Sequence, residues 1–250
     1  MENQKKYLII IFILALSLRI LFFLFQRSWD SSVSEDKIIP MGTDQRGYNQ
    51  LALNFIEHGK LSFKPDLPPV VLRTPFYPLF ISTIYYTFGE KPWFVLLFQN
   101  VIDSLTAILI FFTITILFNN KTGFPAALLY AIEPHMILNS NTLYSDTLFV
   151  FLLSLFFYFF IKSIITAEKN DLTFGISATF LGLSVLVKPA GTYMFILVIL
   201  ILFYLYRKNL RVAIKKIILL YSYLFDDTKP LVNKKLYSLW RIFSFKFRGI

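Results

Sequence analysis

The sequence predicts an all-α protein that crosses a membrane several times, and three observations support this fold class. Of the 250 residues, 56% are hydrophobic and only 16% are charged, and the mean hydropathy of +0.61 lies above that of water-soluble domains of this size. Long apolar runs recur along the chain. The basic residues fall mainly at the ends of these runs, so the net charge of +10 indicates membrane topology and not nucleic-acid binding.

Six apolar runs are predicted to be transmembrane helices, although several are shorter than the roughly 20 residues that a full crossing needs. They cover residues 7–25, 93–118, 123–138, 147–165, 172–187 and 192–206. The first run is longer than the apolar region of a signal peptide and lacks a small-residue cleavage site, so we expect it to be retained as a span.

The distribution of Lys and Arg predicts the orientation of these spans. In an alternating six-span arrangement, the basic residues that flank the spans fall on one side: Lys5, Lys6, Lys121, Lys162, Lys169, Arg207, Lys208, Arg211, Lys215 and Lys216. Because such residues are enriched in cytoplasmic loops, both ends of the core are predicted to be cytoplasmic. Residues 28–91 then form a long non-cytoplasmic loop. Residues 1–216 are the predicted transmembrane domain, and residues 217–250 are a basic, aromatic tail compatible with truncation.

The long outer loop is predicted to carry an amphipathic helix. Its apolar positions have the i, i+3, i+4, i+7 and i+8 spacing of one helix face: Tyr48, Leu51, Ala52, Phe55 and Ile56. Thr43 or Asp44 can cap its start, and Gly59 suits its end. We expect this helix to lie on the bilayer surface. Several prolines separate it from residues 79–88, an apolar stretch that is too short to span and is interpreted as interfacial or re-entrant.

Charged side chains at membrane depth need an explanation, because each costs roughly 2.5 to 3.5 kcal/mol at a helix centre on insertion scales. Arg19 and Asp103 lie within predicted spans, where a structural reading, snorkelling or a pair between helices, stands beside a functional one. Glu133 precedes Pro134 near the outer end of the third predicted span, and both a structural and a functional role are open for it.

Two carboxylates and two cations are candidate site residues on the predicted outer face. Asp44 heads the amphipathic helix and Asp146 begins the fourth span, so folding can bring both to one cavity, although an N-cap role would also explain either residue. Arg73 lies in a proline-stiffened segment that suits bidentate phosphate contact, with lipid headgroup anchoring as the alternative. Lys188 lies at an outer helix end, where it can meet the same phosphate or snorkel.

The metal-binding options are narrow. The chain has no cysteine and only two histidines, which excludes a Cys-based or His-rich metal site. A divalent ion bound by carboxylates remains open.

Four sequence blocks occur in a specific order. They are Gly42-Thr43-Asp44-Gln45-Arg46-Gly47-Tyr48 with His58-Gly59-Lys60-Leu61; Arg73-Thr74-Pro75-Phe76-Tyr77-Pro78-Leu79-Phe80; Ala126 to Pro134 with Leu143-Tyr144-Ser145-Asp146; and Gly182-Leu183 through Val187-Lys188-Pro189. Their order resembles the integral-membrane glycosyltransferases of the GT-C type that use polyprenyl-phosphate sugars, which include protein O-mannosyltransferases and the aminoarabinose transferase of lipid A. The resemblance covers roughly residues 5–206.

The resemblance implies a membrane enzyme that displaces polyprenyl phosphate from the anomeric carbon of a sugar, with inversion of configuration. Asp44 would be the catalytic base. Arg73 and Lys188 would bind the donor phosphate. Asp146, Glu133 and Tyr48 would position the acceptor or the donor.

The resemblance also implies the partners and the location. The acceptor would be a lipid, a glycan or a protein, and the protein would contact membrane lipids in the cell membrane but no nucleic acid. No cofactor is certain, and a divalent metal is compatible with the carboxylates.

Two other functions remain open from the sequence. A transporter or flippase also has short spans and intramembrane charges, although the sequence shows no repeat symmetry and no paired broken helices. A non-catalytic scaffold, or an inactive truncated remnant of a transferase, is the other reading, because members of the resembled family are usually longer and have more spans.

Overall fold

The computed structural model describes residues 2–30, 44–64, 66–68, 70, 73–165 and 171–225. This part of the chain is all-helical and contains no strand, which confirms the all-α part of the prediction. The helices are α1 (Glu2–Gln26), α2 (Asp44–His58), α3 (Phe76–Phe88), α4 (Pro92–Leu117), α5 (Asn120–Ala131), α6 (Pro134–Ser140), α7 (Asp146–Ile165), α8 (Asp171–Val187), α9 (Gly191–Leu205) and α10 (Leu210–Phe225).

Three of the described helices, α1, α4 and α7, are long and apolar enough to cross a membrane. Helices α8 and α9 are also apolar, but they have 17 and 15 residues. The chain is therefore a helical membrane protein, and the count of six spans stays a prediction.

The third predicted span, residues 123–138, is not one continuous helix. Helix α5 ends at Ala131, and Pro134 begins the separate helix α6. Pro134 has no backbone N–H to continue the ladder and disfavours helical geometry at the residue before it, so Glu133 is extended with ψ 116°. The side chain of Glu133 then caps α6 by accepting from Met136 N at 2.9 Å.

A buried ion pair joins the first helices of the bundle. Arg19 Nε of α1 donates to Asp103 Oδ2 of α4 at 2.6 Å, and both side chains are fully buried. Arg19 Nη1 also donates to the backbone oxygens of Ala15 and Ala131, each at 2.9 Å, and Tyr130 of α5 donates to the second oxygen of Asp103. The two charges in the predicted spans are therefore a structural pair, as one of the two readings predicted.

Helix α2 forms where the amphipathic spacing predicts it. Its Leu51, Ala52 and Phe55 are buried, and it packs against α3, where Ser82 Oγ donates to Ala52 O at 3.2 Å. Gly59 follows the helix with φ 66°, a left-handed conformation that glycine adopts readily at a C-terminus. The apolar stripe thus packs on protein, and the proposed position of α2 at a bilayer surface stays a prediction.

The C-terminal part of the described chain is helix α10, which runs across residue 216, the predicted end of the transmembrane domain. Lys215 of α10 pairs with Asp171 of α8 at 3.0 Å. The predicted tail beyond residue 225 lies outside the described residues, as does most of the loop between α1 and α2.

We expect Asp103→Ala to lower the free energy of unfolding by about 3–5 kcal/mol, because it leaves the buried Arg19 guanidinium without its carboxylate. Thermal unfolding in detergent measures the change. The matched control replaces both charges, Arg19→Met with Asp103→Leu, and should cost much less because no charge stays buried. A double variant as unstable as Asp103→Ala would contradict this account.

Candidate functional site

The first cluster of charges lies at the start of α2. Arg73 Nη2 donates to Asp44 Oδ1 at 2.8 Å, and Nη1 donates to the backbone oxygen of Asp44 at 3.2 Å. The guanidinium also lies 5.0 Å from the ring centre of Tyr48 and 5.8 Å from that of Phe63. Asp44 is in the first helical turn, where the positive end of the helix dipole favours a carboxylate. Thr43, the other predicted cap, lies outside the described residues.

The second pair joins the facing ends of α7 and α8. Asp146 is the first residue of α7 and Lys188 follows the last residue of α8, and Lys188 Nζ lies 2.7 Å from Asp146 Oδ1. Because the helices run in opposite directions, the N-terminus of one meets the C-terminus of the other. A carboxylate and a cation at these ends each interact favourably with the dipole of their helix. Both side chains are only partly buried.

Two hydrogen bonds connect the pairs. The hydroxyls of Tyr48 and Ser145 lie 3.4 Å apart, which links the start of α2 to the start of α7. Thr74 Oγ1 donates to Val187 O at 2.6 Å, which links the Arg73 segment to the end of α8. Four segments distant in sequence therefore meet, and they bring together the predicted site residues Asp44, Tyr48, Arg73, Asp146 and Lys188.

Glu133 is placed differently. Within the described chain its carboxylate caps α6 through Met136 N, and none of its hydrogen bonds or ion pairs reaches the other predicted site residues. Its proposed role in positioning a substrate therefore has no contact to support it.

Gln99 holds the turn that precedes Asp146. It was not among the predicted site residues. Its side-chain amide donates to Thr142 O at 2.8 Å and also lies near the oxygens of Ser140 and Asn139. Tyr77 donates to Gln99 Oε1 at 2.6 Å, and the Tyr77 ring packs edge-on against Tyr48 at 4.9 Å. The signal available in the sequence was the Gln99-Asn100 amide pair inside an otherwise apolar run.

Tyr77 stays a hydrogen-bond donor in this arrangement. Burial raises the pKa of Tyr77 well above its ordinary value, and the neighbouring Tyr85, Tyr48 and Asp146 act in the same direction. The protonated phenol donates to Gln99, whose amide in turn holds the carbonyls of the turn before α7. Gln99 and Tyr77 thereby fix the backbone that presents Ser145 and Asp146.

The donor set does not fit a divalent metal ion. Asp44 and Asp146 are each bound to a basic side chain, and no group of three or more His, Asp or Glu residues lies together in the described chain. Hard divalent cations take several oxygen ligands, and two carboxylates already paired with cations do not supply them. The proposed reaction therefore uses only the side chains of the protein.

One family model matches more than half of the chain. Its description is dolichyl-phosphate-mannose-protein mannosyltransferase, and the match covers residues 72–225. That range contains Arg73, Glu133, Asp146 and Lys188 and begins after Asp44 and Tyr48. No curated protein and no solved structure matches the chain.

We expect Gln99→Leu to lower the free energy of unfolding by about 1–3 kcal/mol, because the partly buried Thr142 carbonyl and the buried Tyr77 hydroxyl lose their partner. Chemical or thermal unfolding in detergent measures this loss. The control Tyr77→Phe keeps the bonds from Gln99 to the turn and should cost only about 0.5–1.5 kcal/mol. Equal losses in the two variants would show that the turn does not depend on Gln99.

Proposed function

The chain belongs to the dolichyl-phosphate-mannose-protein mannosyltransferase family, and on that premise we propose that it transfers a sugar from a polyprenyl-phosphate donor to an acceptor. The transfer takes place on the non-cytoplasmic face of the membrane, where residues 28–91 are predicted to lie. The family favours a transferase over the transporter or flippase that the sequence left open.

The observation that carries the proposal is the meeting of two cations and two carboxylates from four distant segments. Arg73 and Lys188 provide positive charge, and the hydrogen bonds through Tyr48 and Thr74 hold their segments together. Each cation is paired with a carboxylate. A donor phosphate offers the same anionic oxygens and can replace the carboxylates as their partner.

The reaction is a single displacement at the anomeric carbon of the sugar. The oxygen of the acceptor hydroxyl forms the new bond, the bond from the anomeric carbon to the phosphate oxygen breaks, and the configuration inverts. The electron pair of that bond leaves with polyprenyl phosphate, and the proton of the hydroxyl passes to Asp44. Arg73 and Lys188 stabilise the charge that grows on the leaving phosphate.

The exposure of the side chains fits this division of roles. The Asp44 side chain is 67% exposed, so an acceptor can approach it from water, whereas that of Arg73 is 25% exposed. Phe63 borders the Arg73 guanidinium and is itself 38% exposed, which provides an apolar surface beside the cation. A lipid-linked phosphate needs this combination of cation and apolar surface. Tyr48 and Asp146 would position donor or acceptor, and the acceptor is a lipid, a glycan or a protein.

Asp44→Asn should lower the rate of sugar transfer about 100-fold or more, since a general base typically contributes two to four orders of magnitude. Membranes that contain the variant are supplied with a radiolabelled polyprenyl-phosphate sugar, and product formation is followed. Asn keeps the shape and the first helical turn, so protein abundance and thermal unfolding should match the wild type. Undiminished transfer would refute the role of Asp44 as base.

Arg73→Ala should weaken binding of dolichyl phosphate to the purified protein about tenfold or more, because it removes charged hydrogen bonds to the phosphate. Equilibrium binding in nanodiscs measures the dissociation constant without an acceptor. Arg46→Ala is the matched control, because Arg46 is an exposed cation on the turn of α2 that carries Asp44. A similar loss in both variants would point to general electrostatic attraction instead of a phosphate site at Arg73.

A further inference from the structure

We infer that Gly47 is a positioning residue for the donor phosphate, because its missing side chain leaves the space in which the Arg73 guanidinium lies. The inference rests on the proposed function of Arg73 as a phosphate ligand. It adds a residue that touches neither phosphate nor sugar and acts through the geometry of Arg73.

The Arg73 guanidinium lies directly against the backbone of Gly47. A Cβ atom at Gly47 would be 2.7 Å from Arg73 Cζ, 2.8 Å from Nη1 and 2.9 Å from Nη2. Carbon and nitrogen atoms that are not bonded to each other do not approach this closely, so any side chain at this position would displace the guanidinium.

The backbone of Gly47 gives no separate reason for glycine. Gly59 and Gly89 have φ of 66° and 84°, which disfavour other residues, whereas Gly47 lies inside α2 and is not among the described residues with positive φ. Glycine in a helix interior is less favourable than alanine because it loses more backbone freedom on folding. A glycine on this turn is therefore unfavourable for the helix itself, and the close approach of Arg73 accounts for it.

The spacing of the contacts explains why one turn of α2 can hold a guanidinium. Asp44, Gly47 and Tyr48 are at i, i+3 and i+4, so they share one face of the helix. Asp44 accepts two hydrogen bonds from Arg73, Gly47 allows the plane to approach the backbone, and the Tyr48 ring lies beside it. The Asp44 carboxylate, the space left by Gly47 and the Tyr48 ring thus determine the position and orientation of the Arg73 guanidinium plane.

A fixed fork matters for phosphate because bidentate contact requires two N–H groups in one plane with the anion. The guanidinium has five N–H donors, and its two hydrogen bonds to Asp44 leave three for another partner. Displacing the plane would misdirect these donors even though the positive charge remains. The geometry therefore predicts that Gly47 affects phosphate affinity and not the charge of the site.

The test measures equilibrium binding of radiolabelled dolichyl phosphate to the full chain in nanodiscs, together with Tm. The variants are Gly47→Ala, Arg73→Lys and the double variant, with Gln50→Ala as the control on the exposed side of α2. We expect Gly47→Ala to weaken binding about tenfold with no fall in Tm, because the displaced group is the end of a flexible side chain. Gln50→Ala should leave the affinity within about twofold of wild type.

The double variant separates positioning from a structural role. Lysine has no planar fork over Gly47, so in the Arg73→Lys background the added Gly47→Ala should change the affinity by less than about twofold. If the affinity losses of Gly47→Ala and Arg73→Lys multiply in the double variant, the inference is overturned. Wild-type affinity in Gly47→Ala would also overturn it, as would a fall in its Tm that persists in the double variant, since that would assign Gly47 to helix packing.

The failures of the two proposals are distinguishable. If the wild type does not bind dolichyl phosphate, or if Arg73→Lys binds it as well as the wild type does, the phosphate role of Arg73 is wrong and the role of Gly47 falls with it. If Arg73→Lys weakens binding and Gly47→Ala does not, only the positioning role is wrong.

Discussion

The buried pair of Arg19 and Asp103 is the interaction on which the arrangement of the bundle depends. An ion without its partner is very costly where water is excluded, so α1, α4 and α5 must meet wherever this pair and the Ala131 carbonyl come together. The backbone of the same residue extends the constraint, because Asn141 Nδ2 donates to Arg19 O at 3.3 Å. Asn141 lies in the turn that leads to Asp146. The position of Arg19 in the bundle is therefore linked to the position of the charged residues at the start of α7.

Much of the fold follows from the sequence because it is set by local physics. The apolar runs are helices, and the spacing from Tyr48 to Ile56 correctly predicted α2 with Gly59 at its end. The break at Pro134 was also visible in the sequence, but the apolar run around it outweighed the missing N–H in the prediction. Pro125 lies inside α5 without ending it, whereas Pro134 separates α5 from α6, so the effect of a proline depends on its position in the helix.

Five of the predicted site residues lie together in the structure, but their pairing was not predicted and Glu133 lies apart from them, and the roles of all of them in the reaction stay predictions. Asp44, Arg73, Asp146 and Lys188 are charged residues at or near the ends of helices, so the sequence alone marks them as candidates. Which carboxylate pairs with which cation depends on how the helices are arranged side by side. Hydrophobic periodicity in the sequence does not contain that information. The support by Gln99 was missed for the same reason, since an amide inside an apolar run acquires its meaning only from the carbonyls opposite it.

The pairing matters for the chemistry because the proposed reaction moves charge between groups that already touch. A polyprenyl-phosphate sugar is a diester with one negative charge, and the departing monoester carries up to two. In the proposed reaction Asp44 would lose its charge on taking the acceptor proton, so negative charge would leave the carboxylate as it appears on the phosphate. Arg73 contacts Asp44 beforehand and, once that carboxylate is neutral, its N–H donors are attracted to the phosphate instead. In this proposal Arg73 contacts the base and would also contact the leaving phosphate, so it would stabilise the transition state more than the bound donor, and that difference is what accelerates a reaction.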